Sequence, residues 1–223
     1  MNRGWSKDGW KLTGLDSFQQ EILKAFFERQ KGFFLTGGAA LVGFYLHHRT
    51  TLDLDLFTTE DLLDEGERSI LETAQNLDVQ AEKLRTSSGF RRFLLTRGTE
   101  SLVVDLVRDL APQIEDKKAE IDGIRVDSTR EIMANKLCTL LSRAELRDLV
   151  DVHALERTGL SVEEHLPLAA EKDAGLTAGQ LAWVLSQIEI GEDSTPPGGV
   201  SAIELRSFVE GLIRRLTAMA YPE

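Results

Sequence analysis

The chain has 223 residues, with 26 Lys and Arg against 37 Asp and Glu, giving a formal net charge of −11. That length suits one substantial domain plus a smaller helical one, and 42% hydrophobic with 28% charged residues is ordinary globular composition. The acidic balance speaks against broad, non-specific nucleic-acid binding, no apolar run reaches the roughly 18 residues of a membrane-spanning helix, and residues 1–8 lack the apolar core of a signal peptide.

Taken in chain order, Asp16 or Ser17 can cap a helix that carries Phe18, Ile22, Phe26 and Phe27 on one side. Residues 33–36 read as a short apolar strand, Gly37-Gly38 as a turn with no Cβ to block a close approach, and residues 39–46 as a buried helix. A strand, a diglycine and a helix N-terminus together make an anion site, because free backbone N–H groups point at it. The same residues also read as a plain strand-to-helix turn.

Thr51-Leu52-Asp53-Leu54-Asp55-Leu56-Phe57 is the most informative stretch. It alternates as a strand does, so Asp53 and Asp55 share one face and Leu52, Leu54 and Leu56 the other. On a strand their Cα atoms lie about 6 to 7 Å apart. Two carboxylates at roughly 6 Å repel by about 3 kcal/mol at an effective dielectric of 20. A bound cation offsets that cost, and hard oxygen ligands suit Mg²⁺.

Residues 60–76 suggest one or two short acidic helices, followed by strands near 79–86, 91–96 and 101–107. The last of these is apolar on both faces except for Asp105. A charge there calls for a metal or for a pairing with an arginine such as Arg92; Asp109 is a weaker candidate past the strand end. Asp122-Gly123 marks a two-residue hairpin. Ser128 and Glu131 read as a capping box opening a helix to about Leu141, and a second helix runs from about Arg143 to Arg157 and stops at Gly159. Cys138 falls in an apolar helical pattern and reads as core. As the single cysteine it rules out an internal disulfide and fits a reducing cytoplasm. His153 reads as a packed histidine. The remainder is helical except for a loop over 191–199, and the last helix covers about Ala202–Ala220. Local cations stand against the acidic total: His47, His48 and Arg49 before the Asp-x-Asp strand, and Arg85, Arg91, Arg92 and Arg97 on neighbouring strands.

Leu35-Thr36-Gly37-Gly38-Ala39-Ala40-Leu41, then His48-Arg49, then Thr51-Leu52-Asp53-Leu54-Asp55-Leu56-Phe57, resembles the nucleotidyltransferase AbiEii/AbiGii toxin family. That family lies in the polymerase-β-like superfamily, with the MenT toxins. The family pattern is Gly-Gly-Thr-Ala-Leu, a His-Arg pair and Ser-x-Asp-x-Asp-Phe. Here Ala39 replaces the Thr and loses a hydroxyl, while Thr51 replaces the Ser and keeps one. A looser downstream motif matches Lys136-Leu137, Arg143 and Arg147-Asp148-Leu149-Val150-Asp151. The resemblance spans roughly residues 30–157.

The resemblance implies an α+β fold: a polymerase-β-like domain (mixed sheet with flanking helices) over residues 1–126 and a helical C-terminal domain over 127–223. It implies an enzyme of the nucleotidyltransferase class, moving a nucleoside monophosphate from a triphosphate to an acceptor such as RNA or tRNA. Such a chain is the toxin of a bacterial toxin–antitoxin or abortive-infection pair, with a cognate antitoxin as partner, at work in the cytoplasm and not in a membrane. Asp53, Asp55 and Asp105 would hold Mg²⁺ or Mn²⁺. Thr36, Gly37, Gly38, Arg49, Thr51 and Lys136 would bind the nucleotide. Asp148 or Asp151 would help catalysis or hold Lys136, and spacing does not choose between them. Two other classes stand beside this: a nucleotide- or partner-binding protein with the same fold and little turnover, and an enzyme that modifies a protein hydroxyl.

Overall fold

The computed structural model describes residues 14–221. Helix α1 (Ser17–Arg29) opens on a capping box, with Asp16 accepting from the Gln19 backbone and the Gln19 side chain accepting in return. Strand β1 (Phe34–Thr36) leads directly into α2 (Gly37–Ala40), which continues as a π-helical turn over Leu41–Tyr45. The helix therefore begins at the diglycine itself, two residues before the expected start at Ala39. Next come β2 (Asp53–Thr58) and one amphipathic helix, α3 (Leu63–Asn76), where the sequence left one or two open. Strands β3 (Gln80–Ser87), β4 (Phe90–Arg97) and β5 (Glu100–Arg108) follow within a residue or two of their expected places. The hairpin of β6 (Ala119–Ile121) and β7 (Ile124–Val126) turns at Asp122-Gly123, both with positive φ, as a type I′ turn requires.

Among the described residues, the strands form one mixed sheet in the order β3-β4-β5-β2-β1-β7-β6. β2 lies parallel to β5 and antiparallel to β1, and β1 lies parallel to β7. α1 and α3 cover one face, where Phe26 meets Phe27 and Phe33 edge to face. The alternation of β2 is realised: Leu54 and Leu56 are fully buried. Leu52, just ahead of the strand, is 84% exposed, because the sheet has not yet begun there.

The C-terminal part is helical: α4 (Thr129–Ser142), α5 (Leu146–Glu156), α6 (Val162–Lys172), α7 (Ala178–Ser186) and α8 (Ala202–Ala220). Ser128, Ser161, Thr177 and Ser201 each cap a helix through the side-chain oxygen. The Ser128 cap is only half of a box. Glu131 turns instead to the backbone N–H groups of Ile114 and Glu115 and to Lys118 and Lys172, with its own side chain and those of both lysines buried. α5 starts three residues later than expected, which leaves Arg143 as the C-cap of α4. α4 packs against α2 and the π-helical turn, and against α5, α6 and α7. Among the described residues, no helix is long and apolar enough to cross a membrane.

Candidate active site

Strand register builds the floor of the site. Thr36 pairs with Asp55, Asp55 with Asp105, and Asp105 with Arg92, so four adjacent strands contribute one polar row. Two residues further along, Phe34, Phe57, Val107 and Phe90 pair in the same way as an apolar row. α4 forms the facing wall with Ile132, Asn135, Lys136 and Thr139. The cleft between them is about 780 Å³, a size suited to a small-molecule substrate.

The glycines are explained by side chains of the site. Gly37 has φ +63°, and a Cβ there would stand 2.5 Å from Asp55 Oδ2. A Cβ on Gly38 would stand 2.4 Å from Arg49 Nη2. The diglycine thus lets a carboxylate and a guanidinium lie against the backbone. Ala39 is fully buried, so the position that lost the family's hydroxyl faces the core.

Thr51 Oγ1 donates to Asp53 Oδ1 at 2.9 Å, which gives the retained hydroxyl a use. Arg147 reaches the other Asp53 oxygen at 3.4 Å. The Asp55 side chain has no hydrogen-bond or ion-pair partner among the described residues. Burial, and then the charge of Asp53, push its carboxyl up to about 7, against an opposing pull from Lys136. A partly enclosed carboxylate beside a second one, with no cation bonded to it, fits a bound metal ion.

Asp105 is different. Arg92 grips both of its oxygens, Nε at 2.7 Å and Nη2 at 2.6 Å. This is the arginine pairing that the sequence left open beside a metal. Among the described residues, no three acids or histidines converge on a single point. Asp109 lies just past β5 and accepts from the Ala111 backbone N–H.

On the helical wall, Lys136 Nζ sits 2.7 Å from Asp148 and 2.6 Å from Asp151. Both aspartates therefore hold it. Asp151 also accepts two hydrogen bonds from Arg49, at 2.7 and 2.8 Å, and lies 2.7 Å from His48 Nε2. Arg143 Nε is 3.1 Å from Asp148. Burial works against all these charges, but Lys136, Arg49 and His48 together hold Asp151 far below the usual carboxylate range. In return Asp151 and Asp148 keep the Lys136 ammonium above the usual lysine range. Cys138 is half-buried: it packs against the core and also borders the cleft, with its thiol donating to the Ala169 carbonyl at 3.5 Å and pushed up to about 11 by burial. His153 is packed, its ring 4.8 Å from that of Phe208.

Every candidate residue except Thr51, Asp148 and Asp151 lines this cleft or its inner end, and those three brace residues that do. Sequence reasoning did not foresee the Arg147–Asp53 and His48–Asp151 contacts. Their signal is the charge of the motifs themselves, a His-Arg pair and an Arg-Asp-x-x-Asp that can pair with each other or with an acid between them.

Residues 21–221 match the family described as nucleotidyl transferase AbiEii toxin, type IV TA system. The chain belongs to this family. It is thus a nucleotidyltransferase of the AbiEii toxin family, and the family match extends past the resemblance of residues 30–157 into the C-terminal helices. No curated protein matches the chain. Among solved structures it is similar to a protein described as a nucleotidyltransferase from H. pylori, at 19% identity and TM-score 0.58, covering 90% of this chain and 93% of that one. JHP933 from Helicobacter pylori is similar at 18% identity and TM-score 0.57, covering 90% and 91%. The nucleotidyltransferase toxin MenT4 from Mycobacterium tuberculosis H37Rv is similar at 18% identity and TM-score 0.55, covering 89% and 81%. At these identities the likeness concerns the fold: an α+β sheet domain followed by helices.

Proposed function

We propose that the chain transfers a nucleoside monophosphate from a nucleoside triphosphate to an acceptor hydroxyl, with Asp53 and Asp55 holding a divalent ion, Mg²⁺ or Mn²⁺. The observation behind this reading is the unpartnered Asp55 beside Asp53, in the same cleft as the held cations Lys136, Arg49 and Arg143. One wall offers hard anionic oxygens and the other fixed positive charge, which is what a metal-bound polyphosphate requires. When bound, the ion supplies charge neutralisation at the reacting phosphoryl group and lowers the pKa of the attacking hydroxyl.

The protein's own groups do the positioning. Thr51 fixes one oxygen of Asp53. Lys136, locked by Asp148 and Asp151, meets the phosphates without reorganising. Thr36, Gly37 and Gly38 border the same end of the cleft, and Arg49 closes it. The apolar row of Phe57, Val107 and Phe90 lies beside the polar row and suits the base and ribose. On this reading the division at residues 126 and 127 separates a sheet part that carries the metal ligands from a helical part that adds Lys136 and Arg143 to the phosphate site.

The reading takes RNA, such as a tRNA end, as acceptor and the cytoplasm as the place of action; the family's description as part of a type IV TA system supports a cognate antitoxin as partner. Incubation with labelled nucleoside triphosphates, Mg²⁺ and either total tRNA or cell protein tests this. Label is expected in RNA, and Asp53→Ala and Asp55→Ala should each lower it by at least about a thousandfold while the fold survives. Label in protein alone would transfer the reading to protein modification. Nucleotide binding without label in either fraction would favour a binding protein.

A further inference from the structure

The carboxylates of the cleft fall into two groups. Asp53 and Asp55 keep oxygens free of strong partners. Asp148 and Asp151 are fully buried, and each stands behind a cation that faces the cleft. Asp105 follows the second pattern. Its side chain is 8% exposed, both its oxygens are taken, and the Arg92 that takes them is 41% exposed. The guanidinium also lies 5.5 Å from the centre of the Phe90 ring, so it is braced from a second direction. Its Nη1 makes no hydrogen bond among the described residues. It is a planar donor held in place on the sheet wall, lining both the main cleft and its inner end.

We infer that Arg92 is a phosphate-binding residue on the sheet wall, working opposite Lys136, and that Asp105 acts through Arg92 as its positioning residue instead of serving as a third metal ligand. The inference rests on the nucleotidyltransferase reading and deepens it. Metal at Asp105 would first have to break a two-pronged, charge-assisted pair. A phosphate needs no such exchange, because the remaining N–H groups are already aimed and the fork geometry matches phosphate oxygens. The ion is then held by Asp53 and Asp55 and by the substrate's own phosphates.

The test uses the full chain and two probes, Mn²⁺ alone and inorganic tripolyphosphate alone, with affinities measured by calorimetry. Arg92→Gln should weaken tripolyphosphate by about tenfold or more and leave Mn²⁺ within about twofold. Asp105→Asn should weaken tripolyphosphate severalfold and also leave Mn²⁺ unchanged, whereas Asp53→Asn removes Mn²⁺ binding. In the Arg92→Gln background, Asp105→Asn should have no further effect on tripolyphosphate, since its brace then has nothing to hold. Loss of Mn²⁺ in Asp105→Asn comparable to that in Asp53→Asn would overturn the inference and leave the reading of the enzyme standing. Unchanged tripolyphosphate affinity in Arg92→Gln would do the same, and this arm decides even if Asp105→Asn fails to fold. A wild-type chain that binds neither probe would overturn the proposed metal and phosphate site, and the inference with it.

Discussion

A single methyl group separates the site from failure at Gly37. Its φ of +63° lies in the left-handed region, which costs a residue with a Cβ about 1 kcal/mol or more. The added Cβ would also sit 2.5 Å from Asp55 Oδ2, and Asp55 cannot retreat without leaving the polar row. Gly37→Ala should therefore lower stability by about 1–2 kcal/mol in urea unfolding and reduce nucleotidyl transfer more than a hundredfold. Gly38→Ala, at ordinary φ, should cost less stability, because its neighbour is the far end of Arg49. A Gly37→Ala variant of full activity would show that Asp55 has room to move. The Asp-x-Asp pair, the diglycine and Thr51 were legible in the sequence because their geometry is local to one or two strands. Arg92 was legible as a partner of Asp105 because adjacent strands were predicted on either side of a tight turn. The Arg147–Asp53 contact joins residues 94 positions apart, and no periodicity carries that information.

At the scale of elements, a misleading local signal marks a long-range device. Ser128 and Glu131 have capping-box spacing, yet the glutamate leaves the helix start to bind the segment before β6 and the end of α6. Glu131 lies 2.5 Å from Lys172 and 3.4 Å from Lys118, and Lys118 lies 2.7 Å from Asp127. Burial raises its carboxyl, but the Lys172 hydrogen bond and the charges of Lys118 and Lys172 outweigh that and hold it below the usual glutamate range. An acid depressed in the folded state contributes stability that is present above its unfolded value, about 4.5, and lost as pH falls from there through the folded value. Glu131→Gln should thus cost about 3 kcal/mol at pH 7, the scale for breaking a buried pair. The gap from wild type should narrow by pH 3 in urea titrations. An equal gap at both pH values would show that shape, not charge, matters there. The caps at Asp16 and Ser128 and the Asp122-Gly123 turn were readable because each is settled within four residues. The order of the sheet was not: β1 reaches β7 across about ninety intervening residues, and only the packed core decides that pairing.

For the whole molecule, the same charges that make the cleft also join its two walls. His48 and Arg49 come from the segment before β2, Asp151 from α5 and Lys136 from α4, and all meet at one buried carboxylate. Removing that carboxylate leaves Arg49 enclosed without its paired counter-charge and Lys136 with Asp148 alone. Asp151→Ala should then destabilise the chain by about 3–5 kcal/mol, and by more than Asp53→Ala, whose charged partner Arg147 stays partly in water. Loss of activity in Asp151→Ala is consequently ambiguous by itself, and the conservative Asp151→Asn separates the causes. It keeps the shape and one acceptor, so it should recover part of the stability while transfer stays low, because Lys136 and Arg49 are no longer held by a charged fork. The decisive measurement pairs a thermal melt with the KM for the triphosphate. If Asp151→Asn melts like wild type and its KM is unchanged, Asp151 is an internal strut, and Asp148 alone suffices to aim Lys136 at the substrate.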